Sequence, residues 1–239
     1  MTKYGEEDLD LLVEPNVRMP VQALRKRSPI FIILTTIARL VIPVMGLLGV
    51  FMLVQFAKAF PVTLFDRYPS DQAELNLSTW LTGGHCAVPL CFFVVHLTNR
   101  AFGAGLALAQ VLIAWAVLVA AALYLTPQIT ELMPWWKWPS RETALVFAGA
   151  LFAGQIAAIM VFDMTRGPVW WKAPLYAGMI GSAVYVGLYY SLAPLDPKIP
   201  FSLALTTDGT INFIMAVLLI VPYWILRPMI RPLPGYGGA

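Results

Sequence analysis

The chain is a succession of long apolar runs separated by shorter polar stretches. A helix that crosses the roughly 30 Å hydrocarbon core of a bilayer needs about 20 mostly apolar residues. Six runs approach or exceed that length: residues 30–56, 80–97, 102–125, 143–162, 174–192 and 210–226. The first is long enough to tilt and carries Pro43, a kink position. The second carries Gly83, Gly84 and Pro89, the composition of a broken helix, which a membrane tolerates only where neighbours or water satisfy the freed backbone groups. Residues 1–29 form a polar N-terminal extension, residues 30–228 the spanning domain and residues 229–239 a short tail. The stretch 58–79 is polar, carries Pro61 and Pro69, and reads as a surface loop. An acidic start followed by a full-length apolar run predicts no cleavable secretory signal.

Composition agrees with the pattern. Of 239 residues, 59% are hydrophobic and 12% charged, about half the usual charged share of roughly 25%. With a mean hydropathy of +0.73 there is too little polar surface to cover a water-soluble globule. Disorder, collagen-like repeats and disulfide scaffolds are excluded on the same grounds. Cys86 and Cys91 lie inside an apolar stretch and read as buried thiols. A net charge of +3 is too small to argue for nucleic acid, so the cations matter through their placement. With six spans the termini share one side, and that side holds Lys3, Arg18, Arg25, Lys26, Arg27, Arg100, Arg166, Lys172, Arg227 and Arg231. The other side holds Lys58, Arg67, Lys137, Arg141 and Lys198. The positive-inside rule puts the richer side in the cytoplasm. The predicted fold class is therefore an all-α integral membrane protein, a six-helix bundle with both termini cytoplasmic, in a bacterial inner membrane. Trp135, Trp136 and Trp138 mark its outer interface, Trp170 and Trp171 its inner one.

Polar residues at membrane depth are costly and are the first candidates for function. Arg39 lies about ten residues into the first run, either facing an anionic partner in the bundle or, if the span starts later, sitting at the headgroups. His85 and His96 are eleven residues apart, within about 20° of one helical face and roughly 16 Å apart along it. They cannot chelate one metal ion, but either has the chemistry of a single axial ligand to a haem or chlorophyll-type ring. Hydrogen-bonded bundle histidines are the more frequent outcome, and no cofactor is expected. Gln155, Asn99, Thr98, Gln110 and Asn212 are expected to bond across helices, whereas Asp163 and Asp208 sit near span ends, where ionisation is affordable. Small residues fill the fourth run (Ala148, Gly149, Ala150, Ala153, Gly154) and recur in the fifth (Gly178, Gly181, Ser182), predicting tight helix contacts. No nucleophile–base pair, metal-ligand cluster or phosphate loop is present, so an enzyme is not expected.

Two stretches carry a family likeness. Residues 81–103 read LTGGHCAVPLCFFVVHLTNRAFG, and residues 154–192 contain GQIAA, a WWKAP turn and a glycine-bearing helix. From Leu47 onward the chain resembles the queuosine-precursor transporter family, a six-span, vitamin-uptake-transporter-like group. The resemblance implies import of a 7-deazapurine, recognised by ionisable residues at membrane depth. Gln155, Asn99, Arg100 and Asp208 match the family pattern. The chain departs from it at His96, Ala158 and Tyr185, each in place of an Asp, and at Asn212 in place of a Lys. Buried carboxylates recognise ring N–H groups through charge-assisted hydrogen bonds, so their loss removes much of the discrimination.

Two functions follow as expectations. One is a transporter-derived scaffold, a non-transporting accessory subunit or assembly factor of a larger membrane complex, with an energy-transducing assembly as the natural candidate. It would contact lipids and other membrane subunits and dock through Arg25, Lys26 and Arg27. The alternative is a secondary transporter whose polar pocket is His96, Asn99, Gln155, Asp208 and Asn212. A bundle centre filled by Tyr185, Met160 and Phe93 favours the first; a polar midplane cavity favours the second.

Overall fold

Backbone N–H and C=O groups have no water to bond in lipid, so apolar runs of this length close their hydrogen bonds internally as helices. A computed structural model describes residues 29–63, 66, 76–132, 139–193 and 199–233. Eight α-helices are found among them: α1 Pro29–Ala57, α2 Gly83–Ala87, α3 Pro89–Phe102, α4 Ala104–Leu132, α5 Arg141–Met164, α6 Lys172–Leu192, α7 Phe201–Leu218 and α8 Ile220–Leu226. No strand occurs among the described residues; an isolated bridge joins Pro61 to Thr82. Five segments are long and apolar enough to cross a membrane: Ile33–Ala57, Ala104–Leu132, Arg141–Met164, Lys172–Leu192 and Phe201–Leu226. The chain is an all-helical integral membrane protein. Arg25, Lys26 and Arg27, and the outer tryptophans Trp135, Trp136 and Trp138, lie outside the described residues.

The chain divides into two units, residues 1–38 and 39–239. Of the first, residues 29–38 are described: a helical segment exposing Ile30, Phe31, Ile33, Leu34 and Ile37, with the Thr35 hydroxyl donating to the Phe31 carbonyl at 2.9 Å. The second, residues 39–239, contains the bundle.

The broken helix is real. Pro89 has no N–H to continue the ladder, so the run is interrupted at Val88 and Pro89 opens α3 at a position that suits it. The entrance of α2 lies beside the end of α1, where the Gly83 N–H donates to the Phe60 carbonyl at 2.8 Å. The end of α3 lies at the opposite end of the bundle, where the Leu233 N–H donates to the Arg100 carbonyl at 3.0 Å. The α3–α4 turn is Gly103 alone, at φ +84°, a left-handed conformation that a side chain would strain.

Two helix ends differ from expectation. The third run was expected to stop at residue 125, yet α4 continues through Pro127 to Leu132, with the Thr130 hydroxyl bonding back to the Thr126 carbonyl. The last run was expected from residue 210, yet α7 starts at Phe201. Asp208 is consequently not near a span end: it is the eighth residue of α7 and 0% exposed.

The tightest contact joins α5 and α6. A Cβ on Gly154 would stand 2.6 Å from the Gly181 carbonyl oxygen, and one on Gly181 would stand 2.9 Å from the Ala158 Cβ. The small-residue stripe thus brings two backbones together. Replacing Gly154 by Ala should lower the thermal midpoint in detergent by several degrees, because overpacking against backbone costs about 1–3 kcal/mol. Gly149→Ala, with nothing within 4 Å of the added carbon, should leave the midpoint unchanged or slightly higher. Equal midpoints for the two variants would contradict this contact.

Candidate functional site

Five residues were expected to share one polar pocket, and the structure distributes them over several contacts. Gln155 on α5 accepts from the Trp115 indole N–H of α4 at 2.7 Å. Asn99 at the end of α3 donates through Nδ2 to the Ile159 carbonyl of α5 at 3.1 Å, while its Oδ1 and backbone carbonyl accept from Arg166. Arg166 also pairs with Asp163 at 3.0 Å. Gln110 donates to the Pro43 carbonyl at 2.8 Å, tying α4 to α1. These three amides act across helices, as expected. Thr98 and Asn212 do not: Thr98 bonds back to Val94 at 3.3 Å, and Asn212 donates to the carboxylate and carbonyl of Asp208, one turn earlier, at 2.9 Å each.

Asp208 is held inside a ring of polar aromatics. Tyr190 of α6 faces its second carboxylate oxygen without closing a hydrogen bond, and Tyr185 and Tyr189 lie close by. Tyr185 is itself buried, with Phe147 packed edge-on at 5.9 Å. At the end of α1 nearest this group, Lys58 lies 4.6 Å over the Phe147 ring, and burial lowers its pKa.

His96 stacks on Phe162 at 5.4 Å, and its Nε2 has no hydrogen-bond partner among the described residues. It borders a cleft with Pro89, Phe92, Phe93, Pro174, Gly178 and Ser182. About 10 Å³ is free there, room for a single water. His85 lies in α2, apart from His96 in α3, because Pro89 interrupts the run between them. Its Nδ1 accepts from the Thr82 N–H at 3.1 Å. That bond puts the imidazole proton on Nε2, the tautomer least suited to ligating iron or magnesium through that nitrogen.

Of the side chains expected to fill the bundle centre, Tyr185 does so and Phe93 lines the cleft, but Met160 points outward at 58% exposure. Gly154 and Ala158 occupy the inward face of α5 instead.

Sequence reasoning overlooked the arginine-rich end of the bundle as a structure in its own right. The Arg100 Nε donates to the Ile230 carbonyl at 2.9 Å, and its guanidinium lies 5.9 Å from the Tyr223 ring. Tyr223 stacks on Trp170 at 6.5 Å, and Arg227 lies 5.6 Å over Trp170. Arg39 lies 6.0 Å from the Phe102 ring, level with the end of α3. The signal was present in the cation count, which was used only for orientation.

Compared with known protein families, curated proteins and solved structures, the chain matches none.

Trp115→Phe keeps the ring volume class but leaves the buried Gln155 oxygen without its donor. It should lower unfolding free energy in mixed micelles by about 1 kcal/mol, the scale of interhelical hydrogen bonds in membranes. A variant as stable as the parent would show that the pair contributes nothing.

Proposed function

We propose that this chain is a transporter-derived membrane scaffold: a non-transporting accessory subunit or assembly factor of a larger membrane complex, of which an energy-transducing assembly is one example. The observation that carries this reading is the closed interior. The cleft at His96 leaves about 10 Å³ free, whereas small-molecule sites usually occupy about 300 Å³ or more. The amides of Asn99 and Gln155 hold helices together, and Asn212 holds Asp208. Descent from the queuosine-precursor transporter family is part of the proposal and rests on the sequence resemblance alone. No catalytic activity is assigned.

We infer six crossings. α2 and α3 together contain about 20 residues, about 30 Å of helix, and their outer ends bond to opposite ends of the bundle. An even number returns both termini to one side. The end carrying Arg100, Arg166 and Arg227 is then cytoplasmic under the positive-inside rule, in a bacterial inner membrane.

A second reading is favoured by Asp208. An intramembrane carboxylate with no basic partner within ion-pair distance among the described residues is a functional residue by default. On that reading the chain is a secondary transporter of a 7-deazapurine or related solute.

The test is purification of the tagged chain from its native membrane in mild detergent, beside a version lacking residues 1–28, combined with uptake of labelled 7-deazaguanine precursors. The scaffold reading expects a fixed stoichiometry of other membrane subunits, reduced on truncation, and uptake no higher than in cells without the chain. A lone protein in both preparations would sink it. Uptake abolished by Asp208→Asn would instead establish transport.

A further inference from the structure

Asp208 lies on the interface of α6 and α7, and the register of the two helices gathers further oxygens around it. A Cβ on Gly178 would stand 3.3 Å from the Ala216 Cβ, and one on Gly209 would stand 3.9 Å from the Val186 Cγ1. The helices therefore run antiparallel with Val186 opposite Gly209. Ser182 and Tyr190 lie one turn to either side of Val186, while Asp208 and Asn212 lie to either side of Gly209. All four are buried, and the Asp208 Oδ2, the Asn212 Oδ1 and the Tyr190 and Ser182 hydroxyls have no hydrogen-bond partner among the described residues. The Tyr190 hydroxyl faces Asp208, and the Asn212 amide is held beside the same carboxylate by its Nδ2. We infer that Asp208, Asn212 and Tyr190 form a binding site for a monovalent alkali cation, sodium by size. Ser182, level with Asn212, stands where it can add a fourth oxygen.

The donor set selects the ion. Carboxylate, amide and hydroxyl oxygens are hard ligands that suit alkali and alkaline-earth cations better than transition metals. One carboxylate neutralises one charge, and a divalent ion would leave a charge bare at membrane depth. The protein supplies no counter-charge of its own. No Lys or Arg pairs with Asp208 among the described residues, and the other titratable groups facing it, Tyr185, Tyr189 and Tyr190 of α6 and Cys86 of α2, are not cations. Helices packed as closely as Gly178 on Ala216 favour the smaller alkali ion. A proton on Asp208 would remove the charge, yet it would satisfy Oδ2 alone and leave the Asn212 oxygen without a partner; an ion draws both. The leftover amide atoms of Gln110 and Gln155 have no such carboxylate bonded to them. The site stands apart from the scaffold reading, because an ion bridging α6 and α7 braces a subunit as readily as it couples a carrier.

Thermal unfolding of the purified full chain in detergent tests the site, with sodium, potassium or choline chloride at equal ionic strength. A ligand that binds only the folded state raises the midpoint as its concentration rises. Sodium should raise the midpoint, choline should not, and potassium should need a higher concentration for the same shift. Asp208→Asn should abolish the sodium response. Tyr190→Phe keeps the ring and removes one oxygen, so it tests the site even if Asp208→Asn fails to fold. It should raise the half-maximal sodium concentration about tenfold, the lower end of the loss when a metal site is stripped of a supporting group. Tyr223→Phe removes another buried phenol hydroxyl, at the arginine-rich end, and should leave the response unchanged. Equal midpoints in sodium and choline or in sodium and potassium, a response that survives Asp208→Asn, no effect of Tyr190→Phe, or an equal effect of Tyr223→Phe would overturn the assignment. A midpoint that follows pH through Asp208 yet ignores sodium would overturn it in favour of a proton site.

Discussion

The backbone contact between Gly154 and Gly181 sets the spacing on which the bundle depends. In lipid, apolar side chains gain little by leaving one apolar solvent for another, so helices associate through close packing and hydrogen bonds. Here α5 and α6 approach until a single added carbon would meet a carbonyl oxygen. Phe92 of α3 packs against both glycines, within 3.3 Å of the space a side chain there would take. One turn along α5 from Gly154, Ala158 presses on Gly181, and the neighbouring Ile159 carbonyl receives Asn99 of α3. Gln155, next to the contact, receives Trp115 of α4. A wider α5–α6 spacing would displace all three attachments.

Polar groups are used unevenly around that centre. On the α3–α4–α5 side, Asn99, Gln155 and Gln110 each close an interhelical hydrogen bond. On the α6–α7 side, the Ser182 and Tyr190 hydroxyls, one Asp208 oxygen and the Asn212 oxygen have no partner among the described residues. Buried polar atoms without partners are expensive. Atoms of His96, Gln110 and Gln155 are left over on the other side as well, so unmet polarity runs through the bundle rather than marking one interface.

Much of the fold was legible because membrane spanning is a length and hydropathy problem. The apolar runs located five helices, and Gly83, Gly84 and Pro89 announced the broken one. The glycine stripe announced the α5–α6 contact. What misled was polarity inside helices. Asp208 reads as lying near a span end, yet the Thr206 hydroxyl bonds to the Ser202 carbonyl at 2.7 Å and Asn212 donates to one Asp208 oxygen, so α7 runs on through these polar residues. Partners were less legible for a related reason: type and depth identify residues such as Asn99 and Gln155, but hydropathy does not say which group lies opposite. Met160 faces outward because Gly154 and Ala158 claim the inward face of α5.

Both interrupted legs meet at one place. Pro89, just past the break before α3, and Leu219 and Ile220, at the junction of α7 and α8, border the same cleft as His96. Discontinuous helices facing each other are the usual way a transporter exposes backbone and side chains to a solute at membrane depth. Here the same geometry is occupied by Phe92 and Phe93, with His96 stacked on Phe162. Ring packing of that kind adds dispersion and edge contacts, and about 10 Å³ of the cleft is left free. The breaks then need another use, and one is visible at the far end of α8. Its short final segment carries Tyr223 onto Trp170 and sets Arg227 over the same indole. The Leu219 N–H to Met215 and Tyr223 N–H to Leu219 hydrogen bonds keep α8 tied to α7, so the junction carries Tyr223 and Arg227 on to the cationic end of the bundle.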